Sequence, residues 1–281
     1  MKLTIFTFFI FVLLLIGGCE KISYAPDNPF CGLSTRVLMH KGCGDNPDYV
    51  VNTLAAAEFG LSVLDGIELD IQMSKDGTLW LDHNNTVIDC EGNEIACFQE
   101  LTDQEIEAYA SCDGVIRYNT LESVFQLMAT SYPESVISLD IKSQYCEILN
   151  TGETMRRMAE SVLNLVARYK MEKKVLVESS SIEFMQELEN QAAVGQCIIT
   201  VSGDVDEGLA NAAATKARGI SLKYGIEPFD AEVVSLIHKK GYAIMIWYIN
   251  EPNDIANAWN TKPDFIQTDN ADFKKYIPAG L

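Results

Sequence analysis

From Arg36 onward the chain alternates between two hydrophobic rhythms. Short apolar runs, with side chains switching sides every residue, start near residues 37, 67, 136, 175, 197, 219, 243 and 265, and each predicts a strand. Between them lie longer stretches with apolar residues three or four positions apart, the spacing of one helix face. Tyr49–Leu64 carries Leu54, Ala57 and Leu61 on such a face. Thr120 is a cap for a helix running to Met128, with Glu122 two residues on. Further helices are expected over Glu153–Tyr169, Ile182–Glu189, Val205–Ala217, Asp230–Lys240 (ended by Gly241) and Pro252–Trp259. Leu79–Leu81 returns as an extra strand after the tight turn Lys75-Asp76-Gly77. Asn84–Asn119 breaks the rhythm and reads as an insertion.

Strand–helix alternation implies parallel strands joined by crossovers. Eight such units match a (β/α)8 TIM barrel, a fold of about 250 residues. An open doubly wound sheet is the runner-up, but no glycine-rich phosphate loop follows the first strand. One barrel domain is expected over residues 36–281, with the insertion at about 84–119.

The N-terminus reads differently. Lys2 precedes an almost wholly apolar run, Leu3 through Ile16, too short to span a membrane comfortably. Residues 1–18 read as a signal peptide, and Ile16-Gly17-Gly18-Cys19 resembles a bacterial lipobox. Cys19 would then be lipidated, and residues 19–35 would tether an exported protein to a bacterial membrane, on the periplasmic or cell-surface face. The alternative is a plain signal peptide with an incidental cysteine. The formal charge of −19 argues against a nucleic-acid partner and against electrostatic docking on anionic lipid. Seven cysteines follow Cys19, an odd number, so at least one is free or pairs elsewhere. Cys90 and Cys97 flank a short polar stretch and are the expected disulfide. Oligomeric state is left open.

The candidate chemistry starts at Gly66–Ile71, where Glu68 and Asp70 share one side of a strand. Bare, the two carboxylates repel. A hard divalent cation with oxygen ligands would hold them together; a solvated acidic face is the bland alternative. In a barrel of this kind the active site lies at the C-terminal strand ends. Those ends carry His40 and Lys41, Glu68 and Asp70, Asp140 and Lys142, Glu178, Lys223, Trp247, Asn250 and Asp269, with His83 at the end of the extra strand. Of the three histidines, His238 sits on a helix and reads as a surface residue. His40 and His83 flank the carboxylate pair. Two imidazoles there suit phosphodiester cleavage, one taking a proton from the attacking hydroxyl and one giving a proton to the leaving oxygen.

Residues 38–272 resemble the glycerophosphodiester phosphodiesterase family. Its His-Arg-Gly opening appears as His40-Lys41-Gly42, and its Pro-Glu-Asn-Thr stretch as Val51-Asn52-Thr53. The Glu-x-Asp block is Glu68-Leu69-Asp70 with Lys75-Asp76-Gly77, and the His-Asp pair is His83-Asn84. The Glu-x-Lys strand is Asp140-Ile141-Lys142, the Trp-Thr-Val-Asn strand is Trp247-Tyr248-Ile249-Asn250, and the terminal Thr-Asp is Thr268-Asp269. Their order and spacing together carry the resemblance.

By position, the resemblance implies that His40 and His83 are the acid/base pair. Glu68, Asp70 and Asp140 would hold a divalent cation, Ca²⁺ or Mg²⁺, and Lys41 and Lys142 would contact phosphate. Trp247 would wall the pocket, unless it is a core aromatic. The substrate would be a glycerophosphodiester, cleaved to sn-glycerol 3-phosphate and an alcohol. Four departures bear on this. Lys41 lacks the bidentate fork of arginine, Val51 and Asn84 each replace a carboxylate, and Asp140 is one methylene shorter than glutamate. Glu178 either supplements the ligand set or is a charge on the barrel rim. Asp140 and the cysteine-bearing loop also resemble sphingomyelinase D-like phospholipases, and Val51 and Asn84 raise a second alternative, a binding lipoprotein with weakened chemistry.

Overall fold

The computed structural model describes residues 34–142, 152–191, 195–199, 204–225 and 229–278, without the side chains of 190, 191 and 195–199. The signal segment, Cys19, Cys31 and Cys146 lie outside the described residues.

Eight parallel strands form the barrel: β1 (Arg36–Met39), β2 (Gly66–Met73), β3 (Val136–Ile141), β4 (Val175–Ser179), β5 (Gly195–Ile199), β6 (Gly219–Lys223), β7 (Ala243–Trp247) and β8 (Phe265–Thr268). Each pairs with its sequence neighbour, and β1 closes the ring. It pairs with β8 from Arg36↔Phe265 to Met39↔Thr268, and with β2 at Leu38↔Gly66 and Met39↔Ile67. This is the (β/α)8 barrel that the alternation predicts. Gly66 is required at the seam, because a Cβ there would lie 2.1 Å from the Val136 carbonyl oxygen.

The crossovers are α1 (Leu54–Val63), α2 (Leu121–Ser131), α3 (Gly152–Tyr169), α4 (Ile182–Gln191), α5 (Val205–Thr215), α6 (Ala231–Lys239) and α7 (Pro252–Thr261). α1 starts later than its hydrophobic spacing suggests. Asn52 has a left-handed backbone (φ 56°), which a helix cannot absorb, and Thr53 caps the helix by accepting from the Ala56 amide at 3.2 Å. α3 shows how apolar spacing becomes burial: Met155, Met158, Ala159, Val162, Leu165 and Val166 form one buried stripe. His238, expected at the surface, is buried instead. Its Nε2 lies 2.8 Å from Asp264 Oδ2, which also accepts from the Ile244 amide, so it ties α6 to the entry of β8. A polar partner made that burial possible, and the partner is distant in sequence.

Inside the barrel the side chains follow period two. Leu38, Val136, Leu176, Met245 and Phe265 form a separate apolar floor. Two residues further along come polar, buried groups: Glu68 on β2, Ser138 on β3, Glu178 on β4 and Gln267 on β8. Ser221 on β6 joins them. A second step of two reaches Asp70, Asp140, Lys223 and Asp269, and one step from the floor reaches His40 and Trp247. The strand ends therefore carry charge above a buried polar layer and an apolar base.

The strand Leu79–Leu81 runs antiparallel to β2 through Met73↔Leu79 and Ile71↔Leu81. Residues 84–119 then build a small lobe with its own core of Trp80, Val87, Phe98, Ile106 and Tyr118. Its disulfide joins Cys90 to Cys112, with Cα atoms 5.5 Å apart, and not Cys90 to Cys97. The ladder explains the correction. Cys97 pairs with Thr86 at the open end of a hairpin, four positions before Cys90. Cys90 lies at the opposite, turn end of that hairpin. Cys97 is bonded to another cysteine, and Cys43 is free and buried. No helix among the described residues is long and apolar enough to cross a membrane.

A non-reducing peptide map is expected to recover Cys90 linked to Cys112, and Cys112→Ser to lower stability by about 2–4 kcal/mol. A Cys90–Cys97 peptide would overturn this pairing.

Candidate active site

Glu68, Asp70 and Asp140 gather at the ends of β2 and β3, offering carboxylate oxygens that all lie within 4.8 Å of one another. The pairing Asp70↔Asp140 puts two of them side by side across the ladder. Lys142 is their counter-charge. Its Nζ lies 2.9 Å from Asp70 Oδ1 and also binds Asp140 Oδ2. Burial works against the Lys142 ammonium, but Asp140 and Asp70 outweigh it and hold its pKa above the ordinary lysine value. Burial would raise Asp70, but Lys142, Lys41 and Asn52 pull it below the usual carboxylate range. For Glu68, burial and the Asp70 charge outweigh His40 and the Lys41 amide and push it up to about 8. Burial also raises Asp140, against the pull of Lys142.

Only one oxygen of Glu68 is satisfied, with Oε2 accepting from the Lys41 amide at 2.9 Å. Oε1 is buried and has no partner among the described residues. An orphaned carboxylate oxygen beside two more carboxylates is the donor set of a hard cation. The three residues fit a divalent ion.

His40, at the end of β1, is held from β8. Its Nδ1 lies 2.6 Å from Asp269 Oδ1, while Nε2 faces Glu68 Oε2 at 3.9 Å. Asn250 steadies Asp269 in turn, donating to Oδ2 at 2.8 Å and accepting from the Asp269 amide at 2.8 Å. Burial lowers the His40 pKa, but the Asp269 hydrogen bond and the Glu68 charge raise it to about 9. Gly44 allows this approach, since its Cβ would meet the Asp269 carbonyl oxygen at 2.2 Å.

His83 lies on the exposed side of the same mouth, near enough for its charge to lower the pKa of Asp140. No hydrogen bond among the described residues holds its ring. The neighbouring Asn84 amide donates to Asp82 Oδ1 at 2.6 Å, and burial pushes Asp82 up to about 6. Lys41 has a left-handed backbone (φ 53°), a conformation that costs energy and clusters at functional sites. Trp247 is half-buried at the end of β7, and Lys223 Nζ lies 5.3 Å from its ring centroid. Glu178 is neither a rim charge nor part of the acidic trio. It is buried one layer below, accepting from Ser138, Gln267 and Ser221, and burial together with the Asp140 charge raises it to about 7.

The glycerophosphoryl diester phosphodiesterase family model matches residues 40–273. This chain belongs to that family. It is therefore an enzyme, a phosphoric diester hydrolase. A glycerophosphodiester phosphodiesterase from Caldanaerobacter subterraneus is 25% identical over 251 residues, 84% of this chain and 95% of that protein. A solved glycerophosphodiester phosphodiesterase from Parabacteroides distasonis has a TM-score of 0.70 at 19% identity, covering 86% of this chain and 96% of that one. A phosphodiesterase from Oleispira antarctica, solved with the product sn-glycerol-3-phosphate, has a TM-score of 0.69 at 15% identity, over 86% and 96% of the two chains.

Two residues hold the site together in ways their sequence positions do not announce. The sequence marks Asp269 as a strand-end carboxylate and as part of the terminal Thr-Asp motif, without a role. The closure of the barrel, which places β8 beside β1, makes it the partner of His40. Asn52 was visible only as part of a motif. Its side chain donates to Asp70 Oδ2 at 2.7 Å and accepts from the Asp70 amide at 3.0 Å, fixing the rotamer of that carboxylate.

The His40–Asp269 pair has a definite pH signature. The raised His40 pKa contributes stability that is fully present below the ordinary histidine value and is lost as pH rises through about 9. In the metal-free protein, Asp269→Asn is expected to bring the His40 midpoint down toward or below 6.5, read by NMR of the imidazole. A midpoint still near 9 in that variant would show that Asp269 is not the cause.

Proposed function

We propose that this barrel hydrolyses glycerophosphodiesters, the deacylated phospholipids, to sn-glycerol 3-phosphate and an alcohol. The observation that carries the reading is the convergence of His40, Glu68, Asp70, Asp140 and Lys142 on one mouth of a barrel in this family.

Glu68, Asp70 and Asp140 would hold a divalent cation, Ca²⁺ or Mg²⁺, which when bound neutralises charge developing on the phosphoryl oxygens. Lys142, whose Nζ sits between Asp70 and Asp140 at this mouth, would contact the phosphate. Lys41 offers a second, point-like charge from the loop after β1. His40 already carries a proton at neutral pH and is fixed by Asp269, which suits it to protonate the leaving alcohol oxygen. His83, exposed at the same mouth, takes the proton of the attacking water. A P–O bond forms to the water oxygen as the bond to the alcohol oxygen breaks, and the two histidines exchange protonation states.

Release of sn-glycerol 3-phosphate from a panel of glycerophosphodiesters, by protein lacking residues 1–19, is expected to stop with EDTA and return with added Ca²⁺ or Mg²⁺. His40→Ala and His83→Ala are each expected to lower kcat/KM by about 10²–10⁴. Normal turnover in the double variant would sink the mechanism.

We also propose that the chain is exported and lipid-anchored through Cys19, supported by the apolar run before it and the small residues at its end. Incorporation of radiolabelled palmitate, lost in Cys19→Ala, is the expected result. Equal labelling of both would refute the anchor.

A further inference from the structure

Lys223 and Trp247 stand opposite one another in the β6–β7 register, at the strand ends that face the mouth. Tyr248 follows Trp247, and strand alternation would send its ring to the other side of the sheet. Its left-handed backbone (φ 69°) breaks that alternation. Both rings consequently flank the same ammonium, with Lys223 Nζ 5.3 Å from the Trp247 centroid and 4.7 Å from that of Tyr248. Tyr248 is 60% exposed, so the cluster sits at the entrance.

Two aromatic faces set around one point are the chemistry that recognises a quaternary or primary ammonium ligand. Here the protein's own lysine occupies that point. Lys142 is neutralised by two carboxylates, whereas Lys223 makes no ion pair among the described residues. Its charge is therefore available to whatever enters. A choline or ethanolamine nitrogen would meet a like charge where the aromatic faces would otherwise attract it. An uncharged polyol meets no such repulsion: its carbons pack against the rings and its hydroxyl oxygens accept from the ammonium.

We propose that Lys223 is the specificity-determining residue for the leaving alcohol, and that the Lys223–Trp247–Tyr248 cluster selects polyol head groups over cationic ones. The inference rests on the hydrolysis proposed above and names its substrate class.

The test compares kcat/KM for glycerophosphoinositol and glycerophosphocholine in the metal-loaded wild type and in Lys223→Met, Lys223→Gln and Lys223→Arg. The wild type is expected to prefer the inositol ester by about tenfold. The neutral variants lose that preference mainly by gaining on the choline ester, while Lys223→Arg, which keeps a cation over the rings, retains it. Two neutral variants guard against one that disturbs packing. A wild-type preference for choline, or a ratio unchanged in both neutral variants, overturns the inference and leaves hydrolysis standing. No turnover of either ester by the wild type overturns the hydrolysis itself, and the inference with it.

Discussion

Closure of the barrel through the short strand β1 is the constraint on which everything else depends. Four residues carry the seam, hydrogen-bonded on one side to β8 and on the other to β2. The seam places the end of β1 between the ends of the last and second strands, so His40 reaches Asp269 with one ring nitrogen and faces Glu68 with the other. An open sheet with the same sequence order would leave β1 and β8 far apart, and His40 without its partner. Gly66 and Gly44 stand where a side chain would prevent that approach.

Above the seam the dominant force is electrostatic. Three buried or half-buried carboxylates share one mouth, and burying charge without compensation is expensive. The protein meets the cost unevenly. Lys142 and Asn52 satisfy Asp70, Lys142 also serves Asp140, and one Glu68 oxygen has no partner among the described residues. That imbalance separates a ligand set from a structural ion-pair network, in which every oxygen would be satisfied. The buried layer beneath offers the contrast. Glu178 accepts from three side chains on three other strands, and so it supports the site without joining it.

The insertion is held by different means. Its short strands pair only with one another, and its apolar core is small. A cross-link between Cys90 and Cys112 limits the freedom that such a lobe would otherwise keep in the unfolded chain. Trp80, on the strand that leaves β2, belongs to this core and donates to Asp103 at 3.0 Å. The lobe is thereby tied to the strand that ends just before His83.

Fold class, strand positions and the principal helices were legible in the chain, because hydrophobic periodicity is a local signal and every barrel strand here has both neighbours to cover it. Period two likewise puts Glu68 and Asp70 on one side of their strand from the sequence alone. Strand ends drew attention to His40, Asp140 and Lys142 for the same reason. What stayed hidden depends on partners distant in sequence. Asp269 lies 229 residues from His40, His238 is buried because Asp264 receives it, and Cys90 finds Cys112 because a hairpin ladder carries Cys97 away from it. The aromatic faces around Lys223 depend on one left-handed backbone angle at Tyr248, which no spacing of residues records. The order of side chains along each strand was set by the sequence alone; which strand ends meet, and therefore which charges answer one another, was decided only when the barrel closed.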